Sequence, residues 1–477
     1  MKANIFTSFL VFAVIVFMAA ATGGGCANPI APTGGPKDSL PPVLVNVTPL
    51  DSTLDFKEKK VVFSFNEFVQ VDNIHDNLIV SPLPKIDPQV ESKLRTVTIK
   101  IRDTLEENTT YTYDFGYAIK DINEGNIAKD FSYVFSTGKH IDSFRLSGHV
   151  LIAQTGKPDS TLIVMLHRNG DDSALIKEKP RFIAKLDSMG RFQFRNLPAG
   201  VFYLYALKDQ GNQRKYLSKR QYFAFADKPV TIGLRNTSDT LYAYEEKDTT
   251  TVSPAKPAAA KTDKNKEKEK EKEKDKRLKF SLSLENGQQD LLGNLEFIFA
   301  EPLKSFDSTK VRFTDASFKI ITQYRFEKDT SNKKLILYYK WPENTAFSLI
   351  VDRDFAEDST GRKIARTDTL KFRTMKESDY GNLSIRFNNL DFARKPVLQL
   401  IQSANIKFSI PLTTRDFHDK RFRPGDYEMR ILFDNNGNGI WDPGAFFGKH
   451  LQPERVISVP KKLTVKANWD NDNTIDL

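Results

Sequence analysis

One pattern recurs in this chain and restricts what it can fold into. Residues 107–137 read ENTTYTYDFGYAIKDINEGNIAKDFSYVFST, and residues 343–374 read ENTAFSLIVDRDFAEDSTGRKIARTDTLKFRT. Each runs from an Asn-Thr turn through an alternating apolar stretch and a polar, Gly-containing loop to a second alternating stretch ending Phe-x-Thr. Upstream, VVFSFNEFVQVDNIHDNLIV (61–80) matches LEFIFAEPLKSFDSTKVRF (295–313), with an acidic residue, Glu67 or Glu301, directly after the apolar run. Period-two alternation sends successive side chains to opposite faces, so these segments are strands with one buried face. The chain therefore carries two copies of one β unit.

A second unit follows each copy. Residues 188–209 read SMGRFQFRNLPAGVFYLYALKD, and residues 417–434 read FHDKRFRPGDYEMRILFD. Both pass from an apolar strand through a Pro-Gly-type turn (Pro198 to Gly200, Pro424-Gly425) to another alternating strand and an aspartate. The 36 Phe and 15 Tyr among 477 residues favour strands throughout. At roughly 100 residues per small all-β unit, the length accommodates four of them. The fold class expected is all-β: tandem sandwiches in two pairs. Between the pairs, EEKDTTTVSPAKPAAAKTDKNKEKEKEKEKDKR (245–277) has nothing apolar to bury and reads as a charged, disordered linker.

The N-terminus has the anatomy of a secretory leader. Lys2 supplies the positive charge, and Ile5 to Ala21 form an apolar run just short of a usual membrane span. Cys26, the single cysteine, follows Gly25 and precedes a Pro/Gly-rich tether, ANPIAPTGGPKD. Exported proteins pair their cysteines or avoid them, so a lone one in this place calls for a chemical use.

These stretches carry three resemblances. The region around Cys26 resembles the lipobox of bacterial lipoproteins, although Gly23 stands where such sequences usually carry Leu, Val or Ile. The resemblance implies cleavage before Cys26 and an N-terminal lipid on it, and so a membrane-held protein; the absence of an aspartate after the cysteine favours the outer membrane, on either face. The segment PPVLVNVTPLDST (41–53) with the strands after it resembles bacterial Ig-like domains of the S-layer-associated type, well over 40–138 and weakly over 279–375. Gly190, Phe192, Phe194, Leu197, Gly200 and Phe202-Tyr203 resemble the hallmark of carboxypeptidase-regulatory, or transthyretin-like, domains, which carry no peptidase chemistry. The implied layout is leader 1–25, lipidated tether 26–39, Ig-like domain 40–140, transthyretin-like domain 141–244, linker 245–277, and a divergent second pair at 278–376 and 377–477.

The net charge of +10 is spread through strand-like segments and the linker instead of clustering with aromatics, so nucleic acid is not an expected partner. One local motif points to chemistry. In LFDNNGNGIWDPG (432–444), Asp434, Asn436, Asn438 and Asp442 fall on positions 1, 3, 5 and 9 of an EF-hand-like loop. Gly439 falls on position 6 and the Ile440 carbonyl on position 7. Position 12, normally a bidentate Glu, is Ala445. The run reads as a calcium loop of the kind set between strands; it also suits a plain hairpin turn. Its counterpart KDQGNQRKY (208–216) keeps Asp209 and Asn212 but has basic residues where ligands should stand.

No catalytic motif recurs in the chain: HExxH, G-x-S-x-G, a P-loop and CxxC are all missing. Ser458 to Lys461 spells S-x-x-K within a strand-like segment, where the serine cannot open a helix. The six histidines read as surface or edge residues, and the acidic pairs Asp121/Glu124 and Glu357/Asp358 as polar loops. Trp341, Trp441 and Trp469 suit either core packing or sugar stacking. The expectation is a non-enzymatic lipoprotein that acts as scaffold or accessory subunit of an outer-membrane complex, partnered by a β-barrel or other envelope protein. A glycan-binding or adhesion lipoprotein is the alternative.

Overall fold

The computed structural model describes residues 3–22, 37–233, 237–246 and 277–477, and strands dominate it. Cys26 and residues 247–276 of the linker lie outside the described residues. The apolar N-terminal run forms an α-helix, Ala3–Thr22. Contacts group the rest into two bodies. One is Met1–Arg145 with Arg181–Ile183 and Arg195–Ala199; the other is Leu146–Pro180, Ala184–Phe194 and Gly200–Leu477.

In the first body, one sheet orders Leu44–Thr48, Lys60–Phe65, Thr96–Lys100 and Gln89–Lys93, and a second orders Ile79–Ser81, Thr110–Asp114 and Ser132–Ser136. A short pair, Val69–Val71 with Ile119–Asp121, completes it. The inward positions of both sheets meet in one core that includes Val61, Phe63, Val97, Ile99, Tyr133 and Phe135. Phe63 packs edge-on against Phe115, Phe131 and Tyr133 at 5.3–5.6 Å, the favoured geometry for aromatic quadrupoles.

The second body repeats this arrangement. Phe280–Leu282, Leu295–Phe299, Lys334–Tyr338 and Arg325–Lys328 form one sheet, and Gln288–Gln289, Asp368–Thr374, Ala346–Val351 and Val311–Asp315 the other. Leu303–Phe306 pairs with Ala356–Asp358 as Val69–Val71 pairs with Ile119–Asp121. The two copies thus match strand for strand except for Gln288–Gln289, whose place beside the last strand is taken in the first copy by the single bridge of Thr53 to Phe135, and the second lacks the Pro-Pro opening.

Two further sandwiches share another plan. In one, Phe144–Ile152 lies between Arg191–Leu197 and Thr237–Ala243, while Phe182–Lys185, Ile163–His167, Gly200–Leu207 and Phe223–Phe225, with Val230–Ile232 also paired to Gly200–Leu207, form the second sheet. In the other, Gly381–Asn388 lies between Asp416–Phe422 and Asp470–Asp476, and Asn405–Pro411, Pro396–Gln402, Gly425–Phe433 and Arg455–Val465 form the second sheet. In each, the first and last strands pair in parallel. The chain is all-β, built from tandem β-sandwiches.

The hallmark residues have physical work in this plan. Phe192, Phe194, Leu197 and Phe202 are buried. Gly190 sits at φ +76°, and a Cβ there would meet the Val150 carbonyl at 2.5 Å, so no larger residue fits. Within the second body, Tyr380 and Arg423 of the last sandwich both reach the buried Asp290 carboxylate, and Arg423 also pairs with Glu285 at 2.9 Å.

Candidate functional site: the 434–454 excursion

Strands Gly425–Phe433 and Arg455–Val465 are antiparallel neighbours, with Phe433 opposite Arg455. Everything between them is a long excursion whose first part is the calcium-like motif. Asp434 is buried at its root, and its carboxylate accepts from the backbone N–H groups of Gly437 (2.7 Å), Asn438 (3.2 Å) and Gly439 (2.6 Å). These bonds wind the turn, and Gly437 and Gly439 supply its positive φ values of 77° and 74°. Asn436 and Asn438 each donate a side-chain N–H to Asp442 Oδ2, at 2.6 and 2.7 Å. Four sequence-identified residues therefore converge. Ile440 joins through its backbone N–H, which donates to Asn438 Oδ1 at 2.7 Å, while its side chain is exposed.

The sequence reading missed Glu454. Its buried carboxylate accepts from Asn435 N at 2.8 Å and Asp442 N at 3.0 Å, tying both ends of the turn to the base of the return strand. Trp441 Nε1 donates to the Glu454 carbonyl at 2.8 Å, so this tryptophan packs the turn. Burial raises the Glu454 pKa, the charges of Asp434 and Asp442 push the same way, and the two backbone hydrogen bonds oppose them. Ala445, in place of the bidentate position-12 Glu, bridges to Leu451.

The donor set fits a calcium ion in part. Two carboxylates, two carboxamides and a backbone carbonyl give five oxygens toward the six to eight that calcium takes. The two carboxamides now give their N–H groups to Asp442 and their oxygens to Asn438 N and Ile440 N, so an ion would have to displace these bonds. Among the described residues, no group of three or more His, Cys, Asp or Glu side chains could hold a metal ion.

Past the turn, the excursion plugs into the sandwich of 144–246. Phe446 is 2% exposed, with its ring 5.0 Å from Phe223 and from Phe225 and 6.0 Å from Tyr205. His450 stacks on Phe446 at 4.8 Å and reaches Asp172 at 2.8 Å. Phe447 stacks on Tyr216 at 5.6 Å. Gln452 donates to the Phe225 carbonyl (2.9 Å) and to Asp227 (2.7 Å). The Gly444 backbone lies so close to the Tyr244 ring that a Cβ would meet Cζ at 2.7 Å. Burying a phenylalanine is worth about 1.5–3 kcal/mol, and the polar contacts fix its register.

Glu246 corrects the sequence reading of the linker. Placed in the solvated run from 245, it is instead buried, and it accepts from Phe446 N at 3.2 Å and from Tyr216 O–H at 3.3 Å. Burial, followed by the charge and hydrogen bond of Glu246, raises the Tyr216 pKa, so the phenol stays neutral.

Other expectations resolve plainly. Asp121 accepts three backbone N–H groups, from Glu124 (2.7 Å), Gly125 (2.9 Å) and Asn126 (2.8 Å); Asp358 accepts from Thr360 and Arg362. Asp121 and Asp358 are thus turn locks on corresponding strands, while Glu357 pairs with Lys304 at 3.1 Å. In 208–216, Asp209 likewise accepts from Arg214 N at 2.9 Å. Ser458 to Lys461 lies within strand Arg455–Val465. Trp341 is core and Trp469 is 62% exposed. His167 departs from the surface reading: it is 2% exposed because its strand is covered on both faces.

No curated protein sequence matches the chain. Among solved structures, it is similar to the Bacillus anthracis TIE protein at 9% identity, over 94% of this chain and 75% of that one, with a TM-score of 0.17. It is also similar to BcpA, the major pilin subunit of Bacillus cereus, at 8% identity over 70% and 99% (TM-score 0.17), and to the BSP domain of a biofilm-associated protein, at 10% identity over 91% and 99% (TM-score 0.15). Likeness at that level carries nothing about function. Across residues 38–137, the first sandwich, the chain matches the family described as bacterial Ig-like domain.

Proposed function

We propose that the chain is a non-enzymatic lipoprotein, anchored by lipid on Cys26 at the outer membrane, that serves as scaffold or accessory subunit of an envelope protein complex. The observation behind this reading is the Phe446 plug. It joins sandwiches from opposite sides of the charged linker, as a positional part requires and as a chain of loosely strung domains does not. The sandwiches at 144–244 and 381–476 are, on this reading, transthyretin-like modules. Calcium belongs to the same proposal: Asp434, Asn436, Asn438, Asp442 and the Ile440 carbonyl would hold it, and its charge would relieve the repulsion of Asp434 and Asp442 on Glu454. The partner is an outer-membrane β-barrel or another envelope protein.

The test is a C-terminally tagged chain extracted in mild detergent, with Cys26→Ala as control. A stoichiometric membrane partner that co-purifies with the wild type and is lost in the control is the expected result. A protein that comes out alone contradicts the subunit reading.

Glycan binding has one observation of its own. Asp227, Asp239, Tyr242, Gln452 and Arg455 line an open groove of about 710 Å³. The Arg455 guanidinium covers one face of the Tyr242 ring at 4.4 Å, so a sugar there would meet polar edges instead of a stacking platform.

A further inference from the structure

The two Ig-like copies show the same place covered and bare. In the first, the segment between Ile79–Ser81 and Gln89–Lys93 is roofed by Arg181. The Arg181 carbonyl accepts from Leu83 N at 2.8 Å, and its guanidinium holds Glu106 bidentately at 2.5 and 2.6 Å. Under that roof remains a cavity of about 90 Å³. In the second copy, the corresponding segment lies between Val311–Asp315 and Arg325–Lys328, and among the described residues it has no such roof.

What lies open there is an apolar cluster set among Ser308, Thr309, Thr322, Glu327 and Lys328. Phe306, Ile320, Ile321, Tyr324 and Phe326 line a groove of about 630 Å³. The Phe326 ring meets Phe306 edge-on at 5.3 Å and Tyr324 at 5.6 Å. Ile320 is 60% and the adjacent Phe318 54% exposed, a cluster that a lone sandwich gains nothing by leaving in water. The groove also borders strand Arg325–Lys328, the outer strand of its sheet, whose free edge can accept an added strand.

The rim has a definite sign. Of the charged residues that line the groove, Lys328 has no carboxylate within ion-pair distance among the described residues and Arg325 pairs with Glu327 at 3.7 Å; Lys319 and Lys371, outside the lining, flank Phe318 without a carboxylate partner among the described residues. The nearby Asp315 is occupied by the backbone N–H groups of Ser317 and Lys319. Lys371 lies 5.9 Å from the Phe318 ring centre, so one cation stands over exposed apolar surface beside the groove.

We propose that this groove docks an extended segment of a partner protein that alternates acidic and apolar residues. The apolar side chains fill the space between Phe306, Ile320 and Phe326, the carboxylates meet the lysine rim, and the backbone runs along the edge of Arg325–Lys328. The proposal deepens the scaffold reading by stating the partner's chemistry, and it rests on that reading only for the existence of a partner.

The experiment measures fluorescence anisotropy of a labelled peptide of alternating Glu and Phe with the full chain in mild detergent. A Lys/Phe peptide and anionic phospholipid vesicles serve as comparisons. Saturable binding of the acidic peptide is expected, at least tenfold tighter than the basic one. Ile320→Lys, which keeps the rim positive at an exposed position, should weaken it at least tenfold without lowering the melting temperature, and Lys328→Glu should weaken it as well. Failure of the acidic peptide to saturate, equal binding of both peptides, or indifference to Ile320→Lys overturns the proposal. So does vesicle binding that is lost with Ile320→Lys, because the occupant is then a membrane. None of these results bears on the lipid anchor or on co-purification, so the two readings fail separately.

Discussion

His167 ends strand Ile163–His167, opposite Tyr203, with its ring 5.7 Å from Tyr205 and its Nε2 without a hydrogen-bond partner. Burial drives its pKa down to about 4, against a weaker upward pull from Glu178. The unfolded histidine titrates near 6.5. Between those values the unfolded state binds more protons, so stability rises with pH across that window and is lost as pH falls through it, by roughly 3 kcal/mol in all. Denaturant unfolding at pH 4.5 and 7 should show this loss in the wild type and lose most of it in His167→Phe; an unchanged difference would contradict the account. Asp358 is also held below its ordinary value, for the opposite physical reason. Burial would raise its pKa, but hydrogen bonds from Arg362 and Thr360 outweigh it and hold it at about 2. Its contribution is therefore present above about pH 4 and lost as pH falls through 2. Asp358→Ala should cost about 2–3 kcal/mol at pH 7, read as a lower melting temperature with the other sandwiches unaffected. Neither role was legible locally. Alternation marks strands with one wet face, and His167 lies on a strand covered on both, with Tyr205 against its ring.

At the scale of elements, the period-two pattern carried a great deal. The Asn-Thr turns at 108–109 and 344–345 precede equivalent strands, and the Phe-x-Thr endings close equivalent ones, because alternation and turn chemistry are local properties. The 434–442 turn was legible for the same reason: its glycines and short oxygen-bearing side chains act within a few residues. Glu454 and Phe446 were not, since Glu454 reaches the turn from the start of the next strand and Phe446 packs into another sandwich, and no spacing rule reaches that far. The turn gives a direct prediction. Calcium added to metal-stripped protein at 100 times its dissociation constant should stabilise the chain by about 2.7 kcal/mol, seen as a raised melting temperature. Asp434→Ala should abolish the rise. A shift that survives Asp434→Ala would place the ion elsewhere, and no shift in the wild type would leave the turn a plain hairpin.

For the whole molecule, the central claim concerns the sandwiches on either side of residues 247–276. A charged linker alone would let them swing with an end-to-end spread on the order of 30 Å. Phe446, Glu246, Gln452 and His450 instead fix one on the other, and Val456 N adds a hydrogen bond to the Ala153 carbonyl at 3.1 Å. These two sandwiches can then act as one part of set geometry. The measurement that tests this most directly starts from a specific protease site inserted within residues 247–276. The full chain is cleaved to completion and passed over a sizing column in mild detergent. The two fragments should elute together, and should separate when Phe446→Ala removes about 3–5 kcal/mol of packing. Fragments that part in the wild-type background would contradict the account.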